Sequence, residues 1–276
     1  MKILFVSPYF APAWEYGGVV KVSFDFAQEL VRLGNQVTVA TTDVFDAKKR
    51  NKKLFEEVEG IKVIRFKNVS NRLAKNFNIY LPIGFSKWLR KNIIKFDVVH
   101  IHDVFTYQSI IAGKICHQHH KPYVIQPHGS FSTTAKKTRF YFLKNLILKN
   151  FRSLFTNSQA IIVLNKKERE DIFKTLPWAK SLIKTVPNGI AIQEFKNIKK
   201  INLHQRYNIS IENKIIVFIG RIHKIKGLDI SIKALAKIKD ECRFVFLIIG
   251  PDEGEKNHLE KLAEMLKIRD RDIFTG

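Results

Sequence analysis

Ile215–Asp229 reads IIVFIGRIHKIKGLD, and the order of residue types in it points to one kind of local structure. Ile215 to Ile219 is an apolar, β-branched run of strand length, and Gly220 stops it. Arg221 and Lys226 stand either side of a short turn. Gly227 follows, and Leu228, Ile232, Leu235 and Ala236 then recur at helical spacing. A strand, a glycine turn carrying fixed positive charge and a helix N-terminus together make an anion site. Backbone N–H groups and the helix dipole favour a diphosphate there, and the two cations neutralise it.

Beyond this turn the spacing predicts a strand over 244–249, a loop from Gly250 to Glu255, a helix over 257–267 and a strand over 272–274. Three strands and two helices are too few for a complete doubly wound domain, because a parallel edge would lie uncovered. The second domain, 196–276, is therefore expected to be C-terminally truncated and the chain alone to be inactive. Glu253 and Glu255 read as solvated surface.

Residues 1–195 read as another α/β domain. Lys2–Val6 is a short buried run ending at Ser7-Pro8. Gly17-Gly18 precedes a helical pattern through Val19, Val22, Phe26 and Leu30, and Val37–Thr41 is a second strand. The loop before Gly17 is long and is not GxGxxG, which disfavours a nicotinamide dehydrogenase. Further strands are expected over 61–66, 97–101, 123–126, 160–164 and 183–186, helices over 110–120 and 166–175, and a charged loop over 45–59. His102-Asp103 ends the 97–101 strand, and His128-Gly129-Ser130 lies just past 123–126. In open α/β sheets ligands gather at those ends.

The chain has 276 residues and a formal net charge of +23, from 48 Lys+Arg against 25 Asp+Glu. Such an excess attracts anionic partners. Cys116 and Cys242 form no CxxC pair, which suits a reducing cytoplasm, and no apolar stretch approaches the ~20 residues of a membrane span. Lys136–Arg152, KKTRFYFLKNLILKNFR, carries six basic residues and no acid among apolar ones. It suits an anionic membrane surface, with the enzyme peripheral at its inner face, although an ordinary helix with solvated lysines has the same pattern.

Pro187-Asn188-Gly189-Ile190, followed by Phe218-Ile219-Gly220-Arg221 and Lys226-Gly227, resembles glycosyltransferase family 4. The Ser7-Pro8 strand end, Gly17-Gly18, Asp97-Val98-Val99-His100, His128-Gly129 and Ile249-Gly250-Pro251-Asp252 extend the likeness along the whole chain. The resemblance implies a GT-B fold, two Rossmann-like doubly wound α/β domains facing across a cleft. It also implies a retaining enzyme that uses a nucleoside diphosphate sugar. By the same resemblance, Arg221 and Lys226 contact the donor diphosphate, with Gly220 in their turn, and Gly17 and Gly18 bring backbone to the same phosphates. Gly250 lies near the base and His128 near the reacting sugar. The family's pair of glutamates eight positions apart has no counterpart before Gly276.

Breaking a glycosyl–diphosphate bond builds negative charge on the leaving oxygen, which two cations and a helix N-terminus can stabilise. No metal and no cofactor are expected. No acidic pair stands at a strand end, and His117, His119 and His120 lack a carboxylate or cysteine in range. His102 and Asp103 are candidates for the acceptor side. The acceptor is expected to be a glycan or lipid-linked molecule in cell-envelope polysaccharide synthesis. A nucleotide-sugar epimerase or hydrolase of the same fold is the alternative. A nucleic-acid-binding role is disfavoured, since no RNA or DNA motif accompanies the charge.

Overall fold

The computed structural model describes residues 1–46, 49–131, 152–196 and 198–275. The chain divides into two compact units, Met1–Gln193 and Glu194–Gly276. All of Lys136–Arg152 except Arg152 itself lies outside the described residues.

Unit 1 is built on an eight-stranded sheet in the order β3-β4-β2-β1-β5-β6-β7-β8. The strands are β1 (Lys2–Val6), β2 (Gln36–Thr42), β3 (Phe55–Val58), β4 (Ile61–Phe66), β5 (Val98–His102), β6 (Tyr123–Gln126), β7 (Ala160–Val163) and β8 (Ile183–Thr185). All pairings are parallel except β3 with β4. β1 is apolar from Ile3 to Val6 because helices cover both its faces. Ile3 and Phe5 join one core layer, Leu4 and Val6 the other. The helices that matter below are α1 (Gly18–Arg32), α2 (Asn71–Phe77), α3 (Phe85–Asn92), α4 (Tyr107–Gln118), α5 (Arg152–Thr156) and α6 (Lys166–Thr175). In α1, Val20, Ser23 and Ala27 are buried at spacings of three and four, the inward stripe of an amphipathic helix.

β3 falls within 45–59, where a charged loop is expected. Its sequence, FEEV, has no clear alternation. Tertiary contacts make the strand: Phe55 pairs opposite Ile64, and the buried Arg65 guanidinium reaches Glu56 at 2.6 Å.

The chain order places β2 on one side of β1 and β5 on the other. Loops leaving β1 and β5 therefore diverge at a topological switch point, where doubly wound sheets hold ligands.

Unit 2 has a three-stranded parallel sheet, β11-β10-β9, from β9 (Lys214–Ile219), β10 (Phe244–Ile249) and β11 (Asp272–Phe274). Helices α7 (Leu228–Lys237) and α8 (Lys256–Met265) pack on it through Leu228, Ile232, Leu259 and Ala263.

Candidate functional site

In unit 1, β5 and β6 lie side by side with His102 opposite Gln126. That register carries His128, two residues past the strand, back against His102. The His102 Nδ1 and His128 Nε2 atoms are 2.9 Å apart, and the rings stack with centroids 5.2 Å apart. His100 continues the stack at 4.1 Å from His102, and Phe5 of β1 lies 4.7 Å from His102 on its other contacts. Three imidazoles thus sit in one column at the switch point.

Burial keeps all three neutral. It lowers His100 to about 3, with the His128 ring nearby adding to the effect. It holds His102 well below the ordinary histidine value. It lowers His128 to about 4, against an opposing pull from Asp103. The single hydrogen bond between His102 and His128 then needs one N–H and one lone pair. His102 Nε2 is buried without a partner, and an orphaned buried acceptor occurs more readily than an orphaned N–H. The pairing thus assigns the proton to His102 Nδ1, which donates to His128 Nε2. His128 consequently carries its own proton on Nδ1.

The loop that bears His128 is tightly held. His128 and Gly129 both take positive φ, 52° and 80°. Glu168 of α6 accepts from Gly129 N at 2.7 Å with one carboxylate oxygen and from Leu164 N at 2.8 Å with the other. Ser130 Oγ donates to Asp103 Oδ1 at 3.1 Å, which ties the β6 loop to the β5 loop. Asp103 Oδ1 also accepts from Val104 N at 2.6 Å.

His102, an acceptor-side candidate, is fully buried, and Asp103 nearly so. Both support the His128 loop. Sequence reasoning missed Glu168. A signal exists: Asn165 caps α6 by accepting from Glu168 N, the N-cap to N3 spacing of a capping box. Here, however, the glutamate reaches Leu164 and Gly129 rather than the Asn165 N–H.

Gly17 ends a 3₁₀ turn (Trp14–Tyr16) with φ 83° and ψ −150°, a conformation that favours glycine. Gly18 begins α1, whose N-terminus has no side-chain cap. A separate apolar groove of about 310 Å³ lies along α1 and is lined by Val22, Phe26, Gln126, Ile162, Pro187 and Ile190. None of the expected site residues lines it.

In unit 2, β9 and β10 end beside one another, and their loops continue in step. Gly220 N donates to Ile249 O and Ile222 N to Pro251 O, at 2.9 and 2.8 Å. At Gly250, φ is 140° and an added Cβ would fall 2.1 Å from Gly220 O, so the approach of the two loops requires glycine. This closeness sets Arg221 beside Glu253. Arg221 Nη1 donates to both carboxylate oxygens, at 2.8 and 2.9 Å. Glu253, expected to be solvated surface, is therefore a partner of the cation.

The two helix N-termini at this edge differ. Asp252 Oδ1 accepts from the N–H groups of Gly254, Glu255 and Lys256, which fills the entrance to α8. Those backbone hydrogen bonds, from Lys256 first, lower the Asp252 carboxyl. The entrance to α7 has no side-chain cap: Gly227 stands there in the left-handed conformation, just after Lys224 and Lys226. A side-chain carboxylate thus satisfies the N–H groups at the α8 entrance, and no side chain caps the α7 entrance.

Among the described residues, no group of three or more His, Cys, Asp or Glu is placed to hold a metal ion. Likewise no described helix is long and apolar enough to cross a membrane.

Two Rossmann-like units, each with glycine-bearing loops at the C-terminal strand ends, define the class as a GT-B glycosyltransferase fold. Residues 16–194 match the family model Glycosyltransferase Family 4, and residues 199–276 match Glycosyl transferases group 1. The chain belongs to glycosyltransferase family 4. It is 26% identical over 286 residues to an uncharacterized glycosyltransferase of Methanocaldococcus jannaschii, a match that covers 100% of this chain and 69% of that one. Among solved structures it is similar to HepE of Anabaena in complex with UDP. The TM-score there is 0.72 and the identity 19%, covering 100% of this chain and 69% of the other. It is also similar to WaaG, a glycosyltransferase involved in lipopolysaccharide biosynthesis, at TM-score 0.61 and 16% identity, covering 99% and 69%.

Proposed function

We propose that this family member transfers a sugar, with retention, from a nucleoside diphosphate donor to a glycan or lipid-linked acceptor in envelope polysaccharide synthesis. The observation that carries the reading is the uncapped N-terminus of α7, preceded in the chain by Arg221, Lys224 and Lys226. Such an entrance suits a diphosphate, and Glu253 fixes the Arg221 guanidinium just past the end of β9. Binding of UDP and of UDP-glucose by HepE supports a uridine donor. The lipopolysaccharide role of WaaG supports an envelope product.

In the reaction the glycosyl C1–O bond breaks and its electron pair passes to the leaving β-phosphate oxygen. The acceptor hydroxyl forms the new bond on the same face, and its proton goes to that phosphate oxygen. Arg221, Lys226 and the α7 N–H groups stabilise the charge that develops. His128, held neutral, offers its Nδ1–H to a sugar hydroxyl.

Arg221→Ala tests the assignment. Loss of one electrostatic donor of this kind lowers turnover by about 10²–10³. An exposed ion pair contributes only about 0–1 kcal/mol to stability, and Arg221 is 46% exposed. In the full-length protein, donor turnover should therefore collapse while the unfolding midpoint barely moves. Parallel losses of both refute the role.

A further inference from the structure

After β4 the chain makes a short ribbon that the sugar-transfer reading does not use. Asn68 and Pro82 form an antiparallel bridge, Val69 N donates to Leu81 O at 3.1 Å, and Ile83 N donates to Lys67 O at 2.9 Å. Alternation across the ribbon is strict. Asn68 and Pro82 point inward and are buried, whereas Lys67, Val69, Leu81 and Ile83 all face out. The outward aliphatic side chains are 56%, 37% and 63% exposed for Val69, Leu81 and Ile83. The inward side is anchored, because Asn68 accepts from Leu81 N at 2.7 Å and donates to Ser70 O at 2.9 Å. Phe77 and Ile79, exposed at the end of α2, precede the second strand of the ribbon.

The charge around this face has one sign. Between Gly60 and Phe96 the chain has nine basic residues and no acidic one. Lys67 lies on the outward face, and Arg72 follows on the exposed side of α2.

We infer that this ribbon face docks on an anionic phospholipid surface, the aliphatic side chains entering the interface and the basic ones meeting the headgroups. Branched aliphatic side chains on a rigid backbone suit the acyl boundary, and they offer no planar faces on which bases could stack. A second copy of the chain is disfavoured, because a twofold contact of this face would set Lys67 and Arg72 near their own copies. The inference stands apart from the transfer reading, since lipid binding is measured without donor or acceptor.

Flotation with vesicles of phosphatidylcholine, alone or mixed with phosphatidylglycerol, provides the test. The protein should float only with the anionic vesicles. Combined Val69→Ser, Leu81→Ser and Ile83→Ser should weaken binding about tenfold or more, and Lys67→Glu with Arg72→Glu about fivefold or more per residue. Lys67 and Arg72 are exposed, so the unfolding midpoint of the charge variant should stay unchanged. An environment-sensitive dye on Ile83→Cys, in a Cys242→Ser background, should shift to the blue when vesicles are added. Failure of the native chain to float overturns the inference. So does flotation without a dye shift, which places docking elsewhere. A change in oligomeric state in the serine variant overturns it as well, by assigning the face to a second copy.

Discussion

The column of His100, His102 and His128 makes unit 1 acid-labile by an amount that can be worked out. All three rings bind protons less readily when folded than when unfolded, where a histidine titrates near 6.5. For a group lowered in the folded state, the unfolded chain binds more protons below the unfolded value. Stability is therefore flat above about pH 6.5 and falls as the pH drops through the window down to the folded values, about 4 for His128 and about 3 for His100. At about pH 5 His100 and His128 remain neutral in the folded protein, so their loss depends on the unfolded value alone. It is roughly 2 kcal/mol per ring, from about 1.4 kcal/mol per pH unit. Together they remove roughly 4 kcal/mol, a large share of an ordinary domain's stability, and His102, also lowered by burial, acts in the same direction.

Urea unfolding at pH 7.5 and at pH 5 measures this directly. Trp14, Trp88 and Trp178 all lie in unit 1, so tryptophan fluorescence reports that unit selectively. His100→Phe keeps an aromatic ring against Phe5 and Phe26, which His100 contacts at 5.1 and 5.6 Å. It should narrow the gap between the two pH values by roughly 2 kcal/mol. A native-protein gap below about 1 kcal/mol, or one that His100→Phe leaves unchanged, refutes the reasoning.

Two further predictions concern the loops. Glu168→Gln replaces a carboxylate that accepts from two backbone N–H groups with an amide that can accept from only one side. It should lower stability by about 1–3 kcal/mol and speed amide exchange at Gly129 more than elsewhere in unit 1; uniform exchange rates would contradict the pinning role. Gly250→Ala should lower stability by about 2 kcal/mol or more through backbone clash and strain. Gly189→Ala, with nothing within 4 Å of the added carbon, should stay within about 0.5 kcal/mol of the native protein in the same calorimetric scan.

The parts of the fold legible in the sequence are those whose signal is local. The strand over 244–249, the helix over 166–175 and the strand over 272–274 appear where their apolar spacing puts them. The turn before α7 likewise appears where its glycines put it, with Gly227 in the left-handed conformation. What could not be read depends on which strands become neighbours. Nothing near Arg221 says that β10 ends beside β9, so Glu253 is a partner only once Gly250 and Gly220 are in contact. Nothing near His128 says that β6 adds next to β5, yet that pairing alone turns three histidines spread over 29 residues of chain into one column. The same holds for Val69, Leu81 and Ile83, which read as ordinary core until Asn68 and Pro82 take the inward positions. A local pattern thus reports strand, turn and helix, while the strand order decides which side chains stand behind a turn and hold their protons and rotamers fixed.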